Sequence, residues 1–123
     1  MGSAPERRTE FDPLVAAVTV HRFSAVEGES ETLATELTGF FEDLRAELYG
    51  LQHAIVLIGY GVGAVAVIAG WESPAAQVDG VASLRTDPRL AAIASRSGVA
   101  EHDEYRVVSV LAEPARPRQD AHA

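Results

Sequence analysis

The chain has 123 residues, 47 % of them hydrophobic and 23 % charged, which suits one domain with one core. It has no cysteine, and all 10 Lys-plus-Arg positions are Arg, so disulfide scaffolds, thiolate metal sites, cysteine nucleophiles, Schiff-base lysines and P-loop lysines are excluded. The net charge of −8, with no basic cluster in the body of the chain, argues against nucleic acid or an anionic membrane surface as partner.

The N-terminal stretch MGSAPERRTEFDP is polar and lacks an apolar h-region, so no signal peptide is read and a cytoplasmic location is expected. Residues 1–13 read as a flexible arm, 14–112 as the folded domain and 113–123 as a flexible tail. Leu14 to Phe23 is apolar and β-branched and predicts a strand. Period-two alternation puts Val18, Val20 and Arg22 on one face and Thr19, His21 and Phe23 on the other. A helix is expected from Ser30 or Glu31 to Tyr49. Leu33, Leu37, Phe40, Phe41, Leu44 and Leu48 form its apolar stripe, Ser30 its N-cap and Gly50 its stop.

Ala54 to Trp71 follows without a formal charge. A membrane helix needs about 20 apolar residues. This run is rich in glycine and β-branched residues and has no flanking basic signal. The GYGVG cluster lacks the full dinucleotide fingerprint and no helix follows it. Two strands, Leu51 to Ile58 and Val62 to Trp71, joined by a glycine turn, fit best. Ser73-Pro74 and Asp87-Pro88 are cap-then-proline signals. They predict helices from Pro74 to about Leu84, with Val78, Val81, Ala82 and Leu84 inward, and from Pro88 to about Ser97. Glu104 to Leu111 reads as the last strand, which leaves Glu101, His102 and Asp103 in a loop without metal-ligand spacing.

The order is β-α-β-β-α-(α)-β, a ferredoxin-like α+β fold with helices on one face of a four-stranded antiparallel sheet. Strand residues are apolar on both faces, so a second copy is expected over the other face, making a homodimer.

Gly50-Leu51, the hairpin ending in Trp71-Glu72-Ser73, and Asp87-Pro88-Arg89 carry a resemblance to the antibiotic biosynthesis monooxygenase family over roughly Leu14 to Leu111. The resemblance implies a dimeric α+β barrel. Its implied activity is that of a small enzyme of secondary metabolism, monooxygenase-like or cyclase-like, acting on an aromatic or polyketide substrate without metal or flavin. The quinone-forming branch has Asn where Val67 stands, His near Leu57, Tyr at Gln77 and Arg at Ala91; of that set this chain keeps Trp71. The haem-degrading branch needs a His in the second helix, and none is present.

Candidate catalytic residues are His53, His21 and Tyr105, the histidines as bases near neutral pH and the tyrosine as a donor to a carbonyl. Candidate substrate contacts are Trp71, Leu57, Val67 and Phe40 as apolar walls and Arg22 as an oxyanion partner. Each has a plainer alternative: Trp71 as a core staple, His53 and His21 as strand-end histidines, Arg22 paired to Glu27 or Glu29. On that alternative the chain is a non-catalytic ligand-binding or accessory dimer.

Overall fold

The computed structural model describes residues 15–61, 63–98 and 100–111. The expected arm at 1–13 and tail at 113–123 lie outside them. The order is β1 (Ala17–Ser24), α1 (Ser30–Glu47), β2 (Leu51–Ile58), β3 (Ala64–Trp71), α2 (Pro74–Arg85), α3 (Pro88–Ser95) and β4 (Ala100–Arg106). The strands form one antiparallel sheet in the order β2-β3-β1-β4, the ferredoxin-like arrangement. The sheet is open, with β2 and β4 as its edges.

Alternation sorts every strand residue. Ala17, Thr19, His21 and Phe23 of β1 and Val65, Val67, Ala69 and Trp71 of β3 are buried under the helices. Val18, Val20, Arg22 and Ile68 point to the bare face. The helical stripe of α1 is as expected, with Leu33, Leu37, Phe40, Phe41 and Leu44 all in the core. Its caps are not. The N-cap is Glu29, whose side chain makes no cap bond, and Ser30 is the first helical residue. At the other end Leu48 turns extended while its N–H bonds Leu44 O, so Gly50 lies beyond the cap. Its lack of a side chain serves packing: a Cβ there would lie 2.3 Å from Ala76 Cβ.

Glycine does set the β2–β3 turn. Gly63 has φ 65° and lies against Ala25 O, while Ala25 N–H donates to Gly63 O at 2.6 Å. At the start of β2 the register shifts between Leu51 and His53. This bulge keeps Leu51 in the core opposite Trp71 and turns His53 to the bare face opposite Gly70.

Two helix starts follow their sequence signals: Ser73 Oγ accepts from Ala76 N–H, and Asp87 Oδ1 from Arg89 N–H. The inward face of α2 differs from expectation. Gln77, Gly80, Val81 and Leu84 are buried, while Val78 and Ala82 are exposed. The reason is Trp71, whose indole lies directly under Gly80. Arg89 ties α3 to α1. It donates to both Glu47 oxygens at 2.9 and 2.8 Å, bonds Asp87, and stacks 5.2 Å above the Phe40 ring. Arg96, at the C-cap of α3, pairs with Glu36 of α1.

The last strand is shifted from its expected position at Glu104 to Leu111. Backbone pairing with β1 sets its span, and Ala17 is opposite Arg106, so little of β1 remains to pair the apolar run from Val107. One bond, Val107 N–H to Ala16 O, extends the ladder. Val108, Val110 and Leu111 are exposed. An edge strand also favours charge over apolar patterning, which masks its period.

Two glycines of these helices have opposite surroundings. A Cβ on Gly80 would lie 2.1 Å from the buried indole, whereas one on Gly39, exposed in α1, meets nothing within 4 Å. Gly80→Ala is expected to destabilise the fold by about 1–3 kcal/mol through overpacking, despite the helix-propensity gain. Gly39→Ala is expected to stabilise it by up to about 1 kcal/mol. Urea unfolding of both variants checks the pair.

Candidate active site

Polar side chains under the helices gather along β1. Trp71 Nε1–H donates to Thr19 Oγ1 at 2.9 Å. Gln77 Nε2 donates to the same oxygen at 3.2 Å and to Val18 O at 3.0 Å. Trp71 is 1 % exposed. It is a core residue joining β1, β3 and α2. A hollow of about 350 Å³ lies beside it, between the turn after α1 and α2, lined by Gly50, Ser73, Ala76 and Ser83 among others.

Two residues along β1 from Thr19, the polar row continues with His21. It sits opposite Val67 on β3 and His102 on β4. Its ring lies 5.6 Å from Phe41 and 5.6 Å from His102, centroid to centroid, and Phe41 packs edge-on against Phe40 at 5.1 Å. His21 is 5 % exposed, and its Nε2 has no hydrogen-bond partner among the described residues. An unsatisfied buried polar atom costs about 1–3 kcal/mol, so this site bears a penalty that an apolar residue would avoid. Burial, and secondarily repulsion from His102, lowers the His21 pKa to about 4. The imidazole is therefore neutral near pH 7 and can accept a hydrogen bond. Beside it, His102 Nε2 lies 3.1 Å from Glu104 Oε2.

The other candidates lie on the bare face. His53 is exposed over Gly70, and Leu57, Arg22 and Tyr105 share that face. Arg22 Nη1 donates to Asp103 Oδ2 at 2.6 Å, rather than to Glu27 or Glu29. A groove of about 590 Å³ opens near the hairpin, with Arg22, Leu57, Ile58, Ala66 and Glu101 in its wall. The expected apolar wall of Phe40, Leu57, Val67 and Trp71 is thus divided. Leu57 faces away from the other three because strand alternation after the bulge turns it outward. His21 stays with Phe40, Val67 and Trp71; His53 and Tyr105 do not.

Sequence reading missed Thr19 and Gln77 as partners of Trp71, His102 as the neighbour of His21, and Glu104 as the partner of His102. A buried indole N–H needs an acceptor, and Thr19 shares the His21 face, so that signal was present. The His21–His102 pairing becomes visible only when β4 begins at Ala100. Among the described residues, no group of three or more His, Cys, Asp or Glu is placed to hold a metal ion. None of the described helices is long and apolar enough to cross a membrane.

No family model matches the chain, and no curated protein matches it in sequence. Solved structures match its fold. A monooxygenase from the Streptomyces coelicolor gene ActVA-Orf6, in complex with nanaomycin D, is 24 % identical with a TM-score of 0.65, over 84 % of this chain and 96 % of that one. The cofactor-independent oxygenase SnoaB from Streptomyces nogalater is 20 % identical with a TM-score of 0.59, over 80 % and 99 %. A dimeric ferredoxin-like protein from an uncultured marine organism is 11 % identical with a TM-score of 0.63, over 86 % and 99 %. The chain is thus a ferredoxin-like α+β protein. Antibiotic biosynthesis monooxygenases are among the proteins whose fold it shares, as the sequence resemblance implies.

The His21 environment has a measurable consequence for stability. The folded pKa of about 4 lies below the ordinary 6.5, so the unfolded chain takes up the proton first as pH falls. The stabilisation is complete above about pH 6.5 and is lost between there and about pH 4, on the order of 3 kcal/mol in all. Urea unfolding is expected to show about 2 kcal/mol less stability at roughly pH 5 than at roughly pH 8 from this group. His21→Leu should remove that component.

Proposed function

We propose that this chain is a small oxygenase of secondary metabolism that acts on a hydroxylated aromatic polyketide and uses neither metal nor flavin. The observation that carries the reading is the unpartnered His21 Nε2, neutral at pH 7, buried beside Phe41 on this fold. Two of the solved structures with the fold support it: one holds nanaomycin D and the other is a cofactor-independent oxygenase.

In this reading a phenolic hydroxyl of the substrate donates to His21 Nε2. Loss of the proton spreads negative charge onto a ring carbon that still bears hydrogen. That carbanion reduces O₂ and forms a C–O bond. The peroxide anion formed takes up a proton from solvent, and the hydroperoxide then breaks its O–O bond; the remaining ring hydrogen and the distal OH leave as water, and a carbonyl remains. One hydroxyarene and one O₂ give one quinone and one water. The protein's part is to take the phenolic proton and to shield the carbanion from water beside apolar side chains. Phe40 and Val67 belong to that shielding core, with Trp71 as the strut behind it.

The same reading includes a homodimer. Ile55, Leu57 and Tyr105 are each about half exposed on a sheet face that also presents Val18, Val20 and Ile68. A second copy packed sheet to sheet covers that face and closes the barrel. It also covers the groove at Arg22 and Leu57.

A dihydroxyanthrone supplied with oxygen-18 gas tests the chemistry. The expected product is the anthraquinone, with one labelled oxygen gained and two hydrogens lost, formed faster than in buffer alone. A product of unchanged mass, or none, refutes the oxygenase reading. For the assembly, sedimentation of the wild-type chain is expected to give a dimer, and Ile55→Glu a monomer.

A further inference from the structure

On the helix-facing side of β4 the side chains are Ala100, His102, Glu104 and Arg106, opposite Phe23, His21, Thr19 and Ala17 of β1. Edge protection accounts for charges on such a strand. It does not account for two imidazoles packed against each other, one of them buried with a free nitrogen. Nor does the His102–Glu104 contact repay them as an ordinary surface pair, since such pairs contribute little. The arrangement runs in one direction, from a buried nitrogen, through a half-buried ring, to a carboxylate at the sheet edge.

We propose that His102 and Glu104 form a relay that carries the proton taken by His21 out to solvent. The relay rests on the reading of His21 as the group that meets the substrate. In the first step the substrate O–H bond breaks and an N–H bond forms at His21 Nε2. The imidazolium cannot persist there. Burial disfavours it, and so does a charge on His102. His102 is the next acceptor outward, and its Nε2 faces the Glu104 carboxylate at 3.1 Å. The two rings lie 5.6 Å apart, centroid to centroid, so the proton has one short step to make between them. From His102 the proton passes to bulk water, and His21 is neutral again for the next substrate. On this face β1 and β3 bring no other titratable group, α1 meets His21 with Phe41, and Arg106 stands at the far end of β4 opposite Ala17.

The test uses the 123-residue chain and the dihydroxyanthrone. His102→Ala is expected to lower kcat by about a hundredfold, at the low end of general-base effects, with KM little changed. Imidazole added to the buffer should restore most of the rate, because it replaces the missing carrier. Glu104→Gln should lower kcat less and move the pH profile of kcat. An undiminished rate in His102→Ala overturns the relay, and so does a loss that imidazole cannot rescue in a variant with wild-type urea stability. If the wild-type chain leaves the anthrone unchanged, the oxygenase reading fails on its own. The coupling is then read by nitrogen-15 NMR of the histidine rings. His21 should titrate at higher pH in His102→Ala than in the wild type, and identical titrations overturn the relay.

Discussion

The indole of Trp71 is the joint on which the fold turns. It closes β3, fills the space under Gly80 and hangs its N–H on Thr19 of the neighbouring strand. Gln77 of α2 reaches the same hydroxyl. One threonine oxygen thus satisfies two buried donors from two different elements, and strand order, helix height and side-chain direction all meet there. A smaller residue at 71 would leave a cavity, and a larger one at 80 would have no room. Next along the same face of β1 comes His21, so the depth and direction of its ring depend on that joint.

Much of this architecture is legible in the sequence because its signals are local. The α1 stripe repeats at helical spacing, the two Ser/Asp-Pro pairs mark helix starts, and the glycines mark a hairpin. Where reading failed, the deciding contact was distant in sequence. Val78 and Ala82 look like an inward face until Trp71 claims the space against Gly80. Ser30 looks like a cap, yet the chain before it makes Glu29 the boundary. The shift of β4 to Ala100–Arg106 follows from where β1 begins and ends, which nothing in EHDEYR reveals.

The site was harder to read than the fold for a related reason. A list of polar residues carries no sidedness unless the registers are known. The bulge after Leu51 sends His53 to one face of the sheet while Trp71, its near neighbour in the hairpin, stays on the other. His21 was identifiable as a candidate from β1 alone, because Thr19, His21 and Phe23 alternate with Val18, Val20 and Arg22. Its partners were not, since they belong to a strand about eighty residues away in the chain, as the Arg22–Asp103 bond of the same ladder shows by its separation of 81.

β1 writes two texts on alternate letters. Odd positions from Ala17 to Phe23 build the helix-covered layer, and even positions from Val18 to Ser24 build the bare sheet face. Since a strand is a single residue thick, substitution can revise either text while leaving the other intact. Insertion or deletion has no such freedom. One residue added within β1 would carry Val20 inward and His21 outward, exchanging the two surfaces at once. Drift in this strand is therefore confined to replacement, and its length is held more tightly than any one of its side chains.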